Sequence, residues 1–141
     1  MKTLTEFINN EIILERFIFT FEEDKFKIDL SDHADEQKLR DKEYHTDSSI
    51  ICSICKVWDD IKNDLNSGIV KINDVIGIKD EYNTFNSICQ LQKYKQYIKI
   101  KVITVKFKKN FVFKDISKLY EAKNISNKLI SSKFNINLHK L

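Results

Sequence analysis

Apolar positions along the chain change their spacing several times, and each change predicts an element. Leu4, Phe7, Ile8 and Ile12 recur at three- and four-residue steps, the spacing of one helix face. Thr3 followed by Glu6 has the form of a capping box, so a first helix is predicted over 3–15. From Phe17 the period drops to two: Phe17, Phe19 and Phe21, then Phe26, Ile28 and Leu30. This is the signature of two strands, and Glu22–Lys25 between them reads as a hairpin turn. Residues 31–49 (SDHADEQKLRDKEYHTDSS) hold almost nothing apolar except Ala34, Leu39 and Tyr44; they predict a polar loop, a short surface helix or a flap.

The clearest helix spans 49–66, where Ile51, Ile54, Cys55, Trp58, Ile61 and Leu65 form one stripe. Gly68 stands where a left-handed cap would end it. Residues 69–78 fit a short strand or a short helix equally. Tyr82, Phe85, Ile88, Cys89 and Leu91 read as a helix over 79–94. Residues 97–113 form the strongest β segment, with Ile98, Ile100 and Val102 on one face and Ile103, Val105 and Phe107 on the other. An apolar face that changes sides at 102–103 implies a β-bulge or a strand shared between two layers. Lys108–Asn110 reads as a turn into 111–113. A last helix is expected from near Asp115 or Ser117, burying Leu119, Tyr120, Leu129 and Ile130, and FNINL near the C-terminus alternates like an edge strand. The whole predicts one α+β domain over 1–141. Its antiparallel sheet would consist of two hairpins plus a C-terminal edge strand, packed with three to four helices, with 31–49 as the flap.

Composition narrows the chemistry. With 141 residues the chain can close one core, and no apolar run approaches the ~20 residues of a membrane span. The opening MKTLTEFINNEIILE carries acids and no small-residue cleavage site, so a secretory signal is not expected. Two glycines in the whole chain leave no Walker loop, no GxGxxG fingerprint and no GxSxG elbow. The absence of proline and the excess of Ile, Lys and Asn are the bias of an AT-rich coding sequence, as in phage or low-GC bacteria, and carry no chemistry. Three cysteines, an odd number, fit a reducing, cytoplasmic setting. Cys52 and Cys55 form a CxxC without a second pair; beside Ile51 and Trp58 they read as packing groups of a helix, not metal ligands.

Charge is distributed unevenly. The net of +3 conceals −8 over residues 1–91 and +11 over 92–141, where thirteen lysines face only Asp115 and Glu121. Such asymmetry points to an anionic partner for one part or to two halves that pair internally. In the basic part, Lys93, Lys95, Lys99, Lys101, Lys106, Lys108 and Lys109 interleave with Tyr94, Tyr97 and Phe107. Lysines bind phosphate by charge and rings stack on unpaired bases; without arginine, such binding would be poorly specific. In the acidic part, Glu22, Glu23, Asp24, Asp32, Asp35, Glu36, Asp41, Glu43 and Asp47 could mimic phosphates or face a basic protein. Asp32, His33, Asp35 and Glu36 with His45 and Asp47 form the one His/carboxylate cluster, the oxygen-rich set that Mg²⁺ or Mn²⁺ nuclease chemistry uses; a charge run of this kind is ordinarily a solvated face.

With no constellation recognisable as catalytic and no cofactor fingerprint, the leading expectation is a protein-binding inhibitor. It would be a small cytoplasmic protein of the toxin-immunity or phage anti-defence (anti-CRISPR-like) type, not an enzyme. Its acidic residues would contact a nucleic-acid-handling protein partner. The alternatives are a nucleic-acid-binding module on the lysine/aromatic strands of 92–114 and a metal-dependent nuclease.

Overall fold

A computed structural model describes residues 2–10, 14, 17–40 and 47–140. The elements run β1 (Lys2–Thr3), α1 (Leu4–Asn9), β2 (Phe17–Phe21), β3 (Phe26–Leu30), α2 (Asp32–Arg40), α3 (Asp47–Ser67), β4 (Val75–Asp80), β5 (Phe85–Tyr94), β6 (Tyr97–Lys106), β7 (Lys118–Glu121), α4 (Asn127–Ser131) and β8 (Asn135–Lys140). Among the described residues, eight strands join one sheet in the order β1-β8-β2-β3-β6-β5-β4-β7.

The α+β class stands, but the expected antiparallel sheet does not: the sheet is mixed. β3 runs parallel to β6, and β4 parallel to β7. Both parallel pairs arise because the chain returns to the sheet only after an intervening excursion. Between β3 and β6 it passes through α2, α3 and the β4–β5 hairpin. That hairpin replaces the helix predicted over 79–94. Phe85, Ser87, Cys89 and Leu91 point to the core at every second position, while Phe85, Ile88, Cys89 and Leu91 also satisfy helical steps, so periodicity alone does not separate the two. The helix expected after Asp115 is likewise β7 followed by the short α4, whose Ser126 hydroxyl caps it by accepting from Leu129 N.

Residues 111–113 form no strand. They cross β4, where a Cβ on Gly77 would lie 2.6 Å from the Phe113 ring and 2.9 Å from Ile116; only glycine admits this crossing. β8 is not an edge strand either, since it pairs with β2 on one side and the two-residue β1 on the other. Within the expected flap, 32–40 are helical and 47–49 already belong to α3; residues 41–46 lie outside the described residues. The first helix predicted over 3–15 is shorter, ending at Asn9 with Leu14 non-helical, while its residues 11–13 and 15 lie outside the described residues. Its start is as expected, with the Thr3 hydroxyl accepting from Glu6 N.

Other expectations hold. The 17–30 hairpin and the long amphipathic helix are present, and Gly68 closes α3 at φ 80°. The bulge falls at Ile103: Val102 pairs with Cys89 and Thr104 with Ile88, leaving Ile103 without a partner. β3 ends opposite Val102, and α2 takes over along β6 from there. The Ser31 hydroxyl donates to Ile103 O and accepts from Ala34 N, and the Gln37 side-chain oxygen accepts from Val105 N. The bulge thus re-aims β6 just where its neighbour changes from strand to helix.

One sheet face carries the core. Trp58 of α3 stacks on Phe26 at 4.2 Å, Phe26 on Phe21 at 4.4 Å, and Phe134 meets both edge-on. Each such pair adds about 0.5–1.5 kcal/mol beyond its buried area. Leu4 and Phe7 of α1 and Ile130 of α4 are buried in the same cluster.

Candidate nucleic-acid interface

The opposite face of β3, β6 and β5 is polar, and register explains why. In β3, Lys27 and Asp29 alternate with the buried Phe26, Ile28 and Leu30; in β6, Lys99 and Lys101 alternate with Ile98, Ile100 and Val102. Parallel pairing sets Lys27 beside Lys99 and Asp29 beside Lys101, and the antiparallel β5 adds Gln92 beside Lys99 and Gln90 beside Lys101. Neighbouring strands are about 4.8 Å apart, so these residues form two short rows. Their lower end is the β5–β6 turn, where Tyr94 pairs with Tyr97 and Lys95 takes the left-handed conformation at φ 56°.

Asp29 is almost fully buried between the rows. One of its oxygens, Oδ2, lies 3.1 Å from Lys101 Nζ and 3.3 Å from Lys99 Nζ; Oδ1 has no hydrogen-bond partner among the described residues. The lysine side chains remain 24% and 31% exposed, so Asp29 aims them without removing them from solvent. Lys27 Nζ sits 4.7 Å from the Tyr97 ring centre and 5.2 Å from that of Tyr94. Tyr94 is 48% exposed, Tyr97 only 9%. The Tyr97 hydroxyl donates to Glu22; that bond, helped by Lys25, holds the Glu22 carboxyl below its ordinary range and raises the Tyr97 hydroxyl. Three cations, one buried anion and one half-exposed ring therefore share an open sheet face, while α1, α3 and α4 contribute to the core on the other.

The fold divides the lysine/aromatic set predicted from sequence. Lys99, Lys101, Tyr94 and Tyr97 come together, with Lys93 and Lys95 exposed at the adjoining turn. Lys106, Lys108 and Lys109 are exposed beyond the bulge, away from that turn, and Phe107 packs at 5.8 Å against the buried Phe85, so it offers no stacking platform. Lys27, Gln90 and Gln92 join the face unannounced. For Lys27 the signal was present, since the alternation of FKIDL opposes it to Phe26 and Ile28; Gln90 and Gln92 were hidden by the helical reading of β5.

The acidic set is dispersed. Asp35 and Asp47 both turn inward onto the buried Lys38, at 3.2 and 2.7 Å. Lys38 also donates to Leu14 O, and Asp47 accepts from Leu14 N. Burial raises the Asp47 carboxyl against the pull of Lys38. Burial likewise raises Asp24, countered by Lys62. Glu23 is exposed in the β2–β3 turn, and Asp32 and Glu36 are exposed on α2. These groups stand at opposite ends of β3, a five-residue strand about 16 Å long. Asp41, Glu43 and His45 lie outside the described residues. His33 is exposed, and no group of three or more His, Cys, Asp or Glu among the described residues could hold a metal ion. Cys52, Cys55 and Cys89 are buried and outside any disulfide; burial pushes Cys89 up to about 12 and Cys55 well above its ordinary value, which makes Cys55 and Cys89 poor nucleophiles.

Searches against protein-family models, curated proteins and solved structures return no match. Geometry therefore carries the functional reading. Among the described residues no helix is long and apolar enough to cross a membrane.

Proposed function

We propose that the chain binds single-stranded nucleic acid, with little sequence preference, on the polar face of β3, β6 and β5. The observation that supports this most is the register that gathers Lys27, Lys99 and Lys101 on one open face beside the half-exposed ring of Tyr94. Lysines supply phosphate attraction and counterion release. An exposed ring offers a stacking surface to any base. Gln90 Nε2 donates to Asn73 O and Gln92 Nε2 to Gln90 Oε1, and each amide keeps one further N–H for an external acceptor. A flat sheet face suits an unpaired strand better than a duplex, whose major groove is entered by a helix or a narrow β-ribbon.

Asp29 has a defined part in this reading. It holds two lysines upright at the surface and lowers the net charge of the face, which favours modest affinity over indiscriminate sticking. The test is fluorescence anisotropy with single- and double-stranded oligonucleotides at about 50 and about 200 mM salt. Three phosphate contacts give a salt slope near −2, so single-strand affinity should fall roughly twenty-fold between the two conditions. No single-strand binding at the lower salt, or binding indifferent to salt, would overturn the reading and return attention to a protein partner for Glu23, Asp32 and Glu36.

A further inference from the structure

A second basic feature lies beyond the bulge, separate from the sheet face. The end of β4, the β4–β5 turn, the chain after β6 and the segment before α4 enclose a cleft of about 580 Å³, within the range of small-molecule sites. Lys79, Thr84, Asn86, Lys108, Lys109 and Asn124 line it.

Its framework is held from inside. Asn86 is buried, and its Nδ2 donates to the carbonyls of Lys106 at 3.2 Å and Lys108 at 2.7 Å. That clamp fixes the chain as it leaves β6 and places Lys108 and Lys109 across from Lys79. Asp80 also borders the cleft, but its carboxylate is consumed within the fold. Oδ2 accepts from Lys56 at 2.9 Å, Ser53 at 2.8 Å and Asn83 at 2.8 Å. The remaining carboxylate, Glu81, is 76% exposed and stands 3.8 Å from Lys79 Nζ, a contact of little strength in water. No carboxylate pairs with Lys108 or Lys109 among the described residues. The cleft therefore presents three cations and several neutral donors against one solvated acid.

We infer that this cleft binds phosphate groups. Lysine ammonium groups and the donors of Thr84 and Asn124 match an anion rich in acceptor oxygens, and the volume accommodates more than a bare anion. The phosphates could belong to a free nucleotide or to the end of a nucleic-acid strand; the chemistry of recognition is the same. The inference does not depend on the sheet face.

The experiment titrates the full chain with inorganic pyrophosphate and with ATP by calorimetry at low salt, and compares 5′-phosphorylated with 5′-hydroxyl oligonucleotides by anisotropy. Pyrophosphate or ATP binding tighter than about 1 mM identifies the free-ligand source. Discrimination only between the two oligonucleotides identifies the strand-end source. In either case the exposed substitutions Lys108→Gln and Lys109→Gln together should weaken the phosphate-dependent signal about tenfold, and Glu81→Gln should strengthen it. Lys99→Gln with Lys101→Gln should leave pyrophosphate and ATP binding unchanged, which separates this site from the sheet face. Absence of phosphate-dependent binding in every arm overturns the inference. So does binding that ignores both the lysine pair and Glu81 in variants with unchanged circular dichroism.

Discussion

The chain uses lysine in two opposite ways, and the contrast shows which charges belong to the fold. In α2 and α3, Lys38 and Lys56 are enclosed: their side chains are 2% and 1% exposed, and each meets a buried carboxylate, Asp47 or Asp80. On the face of β3 and β6, Lys99 and Lys101 converge on one carboxylate oxygen yet keep contact with solvent. An enclosed pair has its attraction offset by desolvation, and breaking it leaves a charge stranded. Where the carboxylate is buried but the two cations stay partly in solvent, as at Asp29, the loss of one lysine leaves the other as partner, and the cations can turn to an external anion. The first arrangement locks elements together; the second leaves cations available.

The largest expected effect lies on the enclosed side. Lys38→Ala strands Asp35 and Asp47 and frees Leu14 O, so urea unfolding should show a loss of about 3–5 kcal/mol; a loss below about 1 kcal/mol would erase the contrast. On the open face, Lys99→Gln and Lys101→Gln retain a donor for Asp29 and should each change stability by less than about 1 kcal/mol. Combined, they remove two phosphate contacts, and the single-strand salt slope should become shallower by about 1.4. Tyr94→Ala, judged by anisotropy at fixed salt, should cost about 1 kcal/mol of affinity, the weak end of the stacking range, because only half the ring is free.

The smallest effect is a pH dependence. The hydrogen bond from Lys118, reinforced by that from Tyr120, holds the Asp64 carboxyl below its ordinary value. A lowered folded-state pKa contributes stability above the ordinary carboxylate value, and the contribution disappears as pH falls through the lowered one. Urea midpoints at pH 5 and pH 3 should therefore differ less in Asp64→Asn than in the natural chain.

Local pattern was legible where one period dominated. Phe17–Leu30 alternates without competition, the stripe from Ile51 to Leu65 fits only a helix, and the switch of face at 102–103 narrowed β6 to a bulge or a strand shared between two layers. It was illegible where two periods coincided, as in Phe85–Leu91, and where a short apolar run borrowed its structure from a distant partner, as β7 does from β4. The parallel alignment of β3 with β6 joins residues about seventy positions apart, and nothing local encodes it. The same pairing builds the candidate face, so Lys99 and Lys101 could be named from sequence but Lys27 and Asp29 could not be placed beside them. Among the acids, Asp35 and Asp47 gave no sign of being buried, because their shared partner Lys38 sits in an equally polar run.

The most direct test of the open face is Asp29→Asn, a nearly isosteric change that removes the one anion between its lysines. If the face receives phosphate, the variant, with circular dichroism unchanged, should bind a single-stranded oligonucleotide several-fold more tightly at about 50 mM salt and show a steeper salt slope. Affinity that stays the same, or falls in a variant that remains folded, would contradict the account.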